Sequence, residues 1–185
     1  GITVGEANAD FSAVIGRSRS VADGMSKGVQ FLMKKNKIDI IKGFGAVKAG
    51  KKVAVTAEDG TVTEYTADKG VIIATGARSR ELPNLPQDGE KIIGYRQAMT
   101  LKTQPKKMVV VGSGAIGVEF AYFYNAIGTE VTVVEYLPNI VPVEDEEVSK
   151  QLEKSFKKMG VNVMTNASVE SVDTKGKGCV VTVKT

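Results

Sequence analysis

The sequence contains no histidine and no tryptophan, and it holds a single cysteine, Cys179. Without histidine this chain has no imidazole to serve as a general base or a metal ligand. One cysteine makes no internal disulfide and no zinc cluster, a pattern that suits a reducing compartment, so a cytoplasmic location is expected. No metal site and no catalytic residue are expected within the chain. Long apolar runs are missing too. Those near Val71–Ala74 and Met108–Val111 are far too short to cross a bilayer, and no membrane partner is expected. No basic, apolar, small-residue stretch opens the chain. It begins with Gly1 rather than methionine, which points to a piece of a longer protein.

What is present is ordinary for a soluble globular chain. Of 185 residues, 42% are hydrophobic and 25% charged, with a formal net charge of +4. This length suits one domain or pieces of two. The lysines come largely as doublets at element edges: Lys34-Lys35, Lys51-Lys52, Lys106-Lys107 and Lys157-Lys158. A nucleic-acid footprint would be a stripe interleaved with aromatics, so no nucleic-acid partner is expected.

Along the first half, Asn8-Ala9-Asp10 offers helix caps before a mostly helical apolar spacing from Phe11 to Leu32. The Lys34–Lys37 region ends that helix, where cations favour the carboxyl end of the dipole. Ile38–Ile41 reads as a short strand leading into Gly43-Phe44-Gly45. Lys52–Ala57 and Thr61–Thr66 alternate around Asp59-Gly60, a hairpin signature. Val71–Ala74 reads as a continuous apolar strand buried on both faces, stopping at Thr75-Gly76. Taken alone, that stop is equally a plain strand-ending turn. A connection with Pro83 and Pro86 follows, then a short helical stretch around Gln97–Leu101.

The character changes at Pro105. Met108–Val111 predicts a strand, Ala115–Ile127 a helix capped by Gly128, and Val131–Glu135 a second strand. A further helix is expected from about Asp145 to Met159, with Val148, Leu152, Phe156 and Met159 as its buried stripe. Val161–Met164 is the next strand. This β-α-β-α-β order predicts a parallel sheet of the Rossmann type.

The chemistry-bearing motif is Gly112-Ser113-Gly114-Ala115-Ile116-Gly117. A glycine triplet alone is weak, but this one follows a strand and opens a helix. Gly112 permits the tight turn, Gly114 lets a pyrophosphate approach the backbone, and Gly117 allows close helix–strand packing. The phosphates would meet free N–H groups at the positive end of the helix dipole. Glu135 lies 23 positions after Gly112, near the offset of about 20 expected for the acid that binds the adenosine ribose. No arginine lies between Thr129 and Asp145 to take a 2′-phosphate, which favours NAD over NADP. The competing reading is a glycine-rich turn with a chance acid. Glu119, in an otherwise apolar helix start, is either a dipole-stabilised acid or one that faces the nicotinamide.

The run VVVGSGAIGVEFA at Val109–Ala121 resembles the NAD-domain motif of the flavoprotein disulfide reductases, most of all the dihydrolipoamide dehydrogenase branch. GVIIATGARSRELP at Gly70–Pro83, EYLPNIVPVEDEEVS at Glu135–Ser149 and Gly43-Phe44-Gly45 agree with it. The resemblance implies an α/β fold: a partial Rossmann-type NAD domain at 105–185, incomplete at its C-terminal end, joined to the later part of an FAD domain at 1–104 that contains a β-meander. It implies FAD contacts from Gly45, Thr75, Gly76 and Ala77. It implies NAD contacts from Gly112, Ser113, Gly114, Ala115, Ile116, Gly117, Glu119, Glu135 and Val169. The family's paired cysteines, first FAD phosphate loop and His–Glu acid–base pair are missing, so the chain alone is expected to be inactive. The resemblance further implies a homodimeric parent acting on a lipoyl-bearing protein of a 2-oxoacid dehydrogenase complex. Another NAD(P)H-linked disulfide or mercuric reductase, or a non-catalytic NAD-binding module, are the alternatives.

Overall fold

The computed structural model describes residues 1, 3–5 and 7–185. It has two compact units: Gly1–Ser18 with Ser79–Thr185, and Arg19–Arg78. The boundary falls inside the first helix, α1, at Phe11–Lys35. The Asp10 side chain accepts the Ala13 N–H at 3.0 Å, and Lys34 and Lys35 close the helix. Cap and terminal cations are both where the sequence places them.

The Arg19–Arg78 unit carries an antiparallel meander of β1 (Phe44–Lys48), β2 (Lys52–Thr56) and β3 (Val62–Thr66), in spatial order β1-β2-β3. Lys52 pairs with Thr66, and Thr56 with Val62. The β2–β3 turn holds Gly60 at φ 84°, and the Asp59 carboxylate accepts the Thr61 N–H at 2.9 Å. Glycine takes that left-handed backbone without a Cβ penalty.

Two expected strands do not form. Residues 38–42 and 71–81 are irregular, and Ile72 and Ile73 are 93% and 69% exposed. An apolar run becomes a strand only when a neighbour takes up its N–H and C=O groups. Among the described residues no strand pairs with either run. In α1, likewise, Val21, Met25, Val29 and Leu32 fall on one helical stripe but stay exposed.

In the larger unit, α2 (Tyr95–Ala98) precedes a parallel sheet of β4 (Lys107–Val111), β5 (Glu130–Val134) and β6 (Asn162–Met164), ordered β4-β5-β6. Helices α3 (Ala115–Ala126) and α4 (Glu146–Lys158) connect these strands. Both strand pairs are parallel, with Met108 opposite Val131 and Val133 opposite Val163. Chain order and pairing give the Rossmann-type α/β architecture.

Val131, Val133, Ala121, Tyr124, Phe156 and Val161 belong to one buried cluster. Tyr124 is fully buried; its hydroxyl donates to the Ala98 carbonyl at 2.6 Å and its ring meets Phe11, Phe120 and Phe123. A two-stranded antiparallel ribbon of β7 (Ser168–Asp173) and β8 (Val180–Lys184) forms a second cluster with Val134 and Leu85. Lys91 Nζ donates to the Thr174 and Gly176 carbonyls at the ribbon's turn. Strand β4 is half-buried: Val109 and Val111 stay exposed while Met108 and Val110 pack on the core.

Helix α4 forms as expected, with Asp145 as N-cap accepting the Glu147 N–H at 2.9 Å. Its buried face differs from the expected stripe. Ser149 and Phe156 are buried, Leu152 partly so, and Val148 and Met159 are exposed. The Ser149 hydroxyl donates to the Val141 carbonyl at 3.4 Å, and Ser149 shares the inward face with Leu152 and Phe156.

Candidate functional site

The loop from Gly112 to Gly117 joins the end of β4 to the start of α3. Gly112 has φ 95°, and its N–H donates to the Val134 carbonyl at 2.8 Å, tying the loop to the neighbouring strand. At Gly117 a Cβ would lie 2.2 Å from the Gly112 carbonyl oxygen, so only glycine fits that crossing of helix over loop. Gly114 differs. Its φ of −63° suits any residue, and a Cβ there would meet nothing within 4 Å. That Cβ would occupy open space beside the start of α3, where an approaching phosphate needs room.

Gly114 is also the N-cap of α3, and no side chain caps the helix there. The Val118 N–H donates to the Gly114 carbonyl at 3.1 Å. A helix start with its first-turn N–H groups uncapped by a side chain has the donor set and dipole sign for an anion. Ala115 and Ile116 are exposed at this turn.

Glu135 directly follows β5, and its side chain comes back to the loop. Its Oε2 accepts the Ser113 N–H at 2.8 Å and the Ser113 hydroxyl at 2.7 Å, while Oε1 accepts the Leu137 N–H at 2.9 Å. Glu135 is only 7% exposed. Burial alone pushes its carboxyl up, but the hydrogen bonds from the Leu137 N–H and from the Ser113 hydroxyl and N–H, helped slightly by the nearby Tyr136 backbone, outweigh it. The group therefore sits below the usual carboxylate range and stays ionised at neutral pH.

Other candidate residues fall elsewhere. Glu119 is exposed on α3 and lies beyond its first turn, which holds no acid, so the helix dipole is not the reason for it. It lines a cleft of about 270 Å³ with Val14, Ile15, Ala98, Phe120 and Phe123. Val169 is buried in β7, opposite Val183 and clustered with Val134, next in sequence to Glu135. Gly45 is exposed in β1, and Thr75, Gly76 and Ala77 are exposed in the irregular segment, with Gly76 at φ 75°. These four belong to the Arg19–Arg78 unit, and the loop at Gly112–Gly117 belongs to the other.

Sequence reasoning missed the intramolecular partners of Glu135. It also missed Val141, whose N–H donates to the Ser113 carbonyl at 3.0 Å while its φ is 41°. A buried β-branched residue in the left-handed region has no local sequence signal. Cys179 is exposed just before β8.

The family model described as "Pyridine nucleotide-disulphide oxidoreductase" matches residues 3–185. The "Dihydrolipoyl dehydrogenase" of Zymomonas mobilis is 41% identical over 178 residues, 96% of this chain and 38% of that protein. The protein of the same name from Chlorobaculum tepidum is 43% identical over 178 residues, again 96% and 38%. The chain thus spans somewhat over a third of the length of these relatives. Among solved structures, LpdA from Mycobacterium tuberculosis superposes with a TM-score of 0.85 at 32% identity, covering 97% of this chain and 40% of that one. The HOCl-induced flavoprotein disulfide reductase RclA from Escherichia coli, in a Cu(II) complex, gives 0.81 at 26% identity over 95% of this chain and 40% of that one. The family's cofactors are NAD and FAD. By sequence and fold, the chain belongs to the pyridine nucleotide-disulphide oxidoreductase family.

Proposed function

We propose that this chain is the NAD-binding central part of an FAD-dependent dihydrolipoamide dehydrogenase. The parent would oxidise dihydrolipoamide on a lipoyl-bearing protein to lipoamide, reducing NAD to NADH, as a cytoplasmic homodimer. In this reading residues 1–104 are the later part of the FAD domain, and 105–185 are most of the NAD domain. The observation that carries it is the glycine loop at the start of α3 with the ionised Glu135 bonded to its floor at 2.7–2.8 Å. Relatives named dihydrolipoyl dehydrogenase at 41–43% identity support the same reading.

Gly114, Ala115, Ile116 and Gly117 would receive the NAD pyrophosphate on backbone N–H groups, Gly112, whose own N–H is held by the Val134 carbonyl, would make the turn that presents them, and Gly117 keeps α3 close enough for this. Glu135 would take the adenosine ribose, and its negative charge disfavours a 2′-phosphate. Glu119 would stand near the nicotinamide, and Val169 would support the adenine end from within the core. Gly45, Thr75, Gly76 and Ala77 would line part of the FAD. When bound, NAD and FAD supply hydride and electron-pair transfer between the dithiol and the nucleotide. Because the chain has one cysteine and no histidine, it contributes no dithiol and no imidazole to that reaction.

A second reading, another flavoprotein disulfide reductase, is favoured by the likeness to RclA. The test is a titration of the purified chain with NADH, followed by nucleotide fluorescence, alongside its absorbance spectrum and a lipoamide-dependent NADH assay. Saturable NADH binding, little retained flavin and no turnover are expected. No NADH binding at millimolar nucleotide would refute the NAD assignment, and stoichiometric FAD or turnover would refute the inactive-fragment reading.

A further inference from the structure

Ser113 sits between the first two glycines of the loop and is among the residues the resemblance implies for NAD; its side chain turns inward. The residue is fully buried, and its polar groups are all engaged inside the protein. Its N–H and its hydroxyl both donate to Glu135 Oε2, at 2.8 and 2.7 Å, and its carbonyl accepts the Val141 N–H at 3.0 Å. The backbone of Ser113 is thus held from the far side by the left-handed Val141, leaving the hydroxyl fixed against the carboxylate.

A carboxylate has roughly four lone-pair directions. Ser113 fills two on Oε2, and the Leu137 N–H at 2.9 Å takes one on Oε1. Any spare acceptor capacity therefore lies on Oε1. A ribose would meet a carboxylate gripped on one oxygen and available on the other, rather than one free to close on both hydroxyls.

Resting on the NAD reading above, we propose that Ser113 is a positioning residue that sets nucleotide selectivity by clamping Glu135 through Oε2. Its hydroxyl touches no nucleotide. It keeps the negative charge of Glu135 at a fixed point beside the adenosine ribose, where it accepts one hydroxyl from NADH and repels the 2′-phosphate of NADPH. With alanine at this position only the backbone N–H remains on Oε2. The side chain can then rotate away, so NADH loses a preorganised acceptor and NADPH a fixed repulsion.

The experiment compares NADH and NADPH dissociation constants for the wild-type chain and for Ser113→Ala, Ser113→Gly and Glu135→Gln, with a thermal melt of each. The ¹³C carboxyl signal of Glu135 is titrated in the wild type and the Ser113 variants. The expected result is a NADH-over-NADPH preference that falls about tenfold in both Ser113 variants, on the scale of one charge-assisted hydrogen bond. The Glu135 titration should also move to higher pH, a change that a merely structural serine would not produce. If Ser113→Ala does not fold, Ser113→Gly gives the same reading, since Ser113 needs no left-handed backbone. Unchanged preference in the Ser113 variants, with preference lost in Glu135→Gln, overturns this inference and leaves the NAD reading standing. Absence of NADH binding in the wild type overturns both.

Discussion

An added Cβ on Gly117 would lie 2.2 Å from the carbonyl oxygen of Gly112, five positions earlier, and 3.4 Å from a methyl of Val110. The nearest atom is backbone, so it cannot swing aside as a side chain would. Gly117→Ala is expected to push α3 off the loop, lowering stability by about 1–3 kcal/mol as overpacking does and weakening NADH binding with it. A thermal melt and a nucleotide titration check this; an unchanged melting temperature would mean the loop is softer than this contact requires.

Glu135 links the site to pH. Its carboxyl is held below its unfolded value, so the stabilisation is fully present above the unfolded carboxylate pKa and is lost as pH falls through the lower folded one. Urea unfolding between pH 7 and pH 3 should show an acid-side loss that is shallower in Glu135→Gln. Parallel acid limbs for the two proteins would remove Glu135 from the account.

For nucleotide preference, Glu135→Gln is a better probe than Glu135→Arg. The carboxylate is 7% exposed and accepts three hydrogen bonds from Ser113 and Leu137. Arginine has no acceptor, so it would leave those donors unpaired and unsettle the loop. The arginine variant is expected to melt well below the glutamine variant. Equal melting temperatures would show that those three bonds contribute little.

Tyr124 is fully buried, with its hydroxyl 2.6 Å from the Ala98 carbonyl. Tyr124→Phe keeps the ring contacts but strands a carbonyl, at a cost of about 1–3 kcal/mol. Chemical denaturation measures this, and a neutral substitution would imply that water reaches Ala98.

Cys179 is exposed and lies outside the candidate site. Ellman's reagent should titrate one thiol in the native chain, and Cys179→Ser should change stability by no more than about 0.5 kcal/mol. A larger loss, or a protected thiol, would contradict the position found for it.

Much of the fold was legible in local pattern. Helix α1, the β2–β3 hairpin at Asp59-Gly60, and the β4-α3-β5-α4-β6 order follow from caps, turn residues and periodicity, which are properties of neighbours in the chain. The errors share one cause. Ile38–Ile41 and Val71–Ala74 have strand composition, but a strand exists only through a partner, and composition does not supply one. In α4 the periodicity was right for a helix, yet the face that turned inward, that of Ser149, Leu152 and Phe156, is set by packing against the core, which local pattern does not specify.

The candidate site divides the same way. Sequence alone determined the glycine loop and the acid at Glu135, because turn geometry, dipole and charge are carried by residue type and spacing. Only the tertiary structure decided that Glu135 is bound to Ser113, that Ser113 is buried rather than facing a phosphate, and that Val141 braces it in a left-handed conformation. Those are contacts between residues 22 and 28 positions apart, and they exist only once the parallel strands β4 and β5 lie side by side.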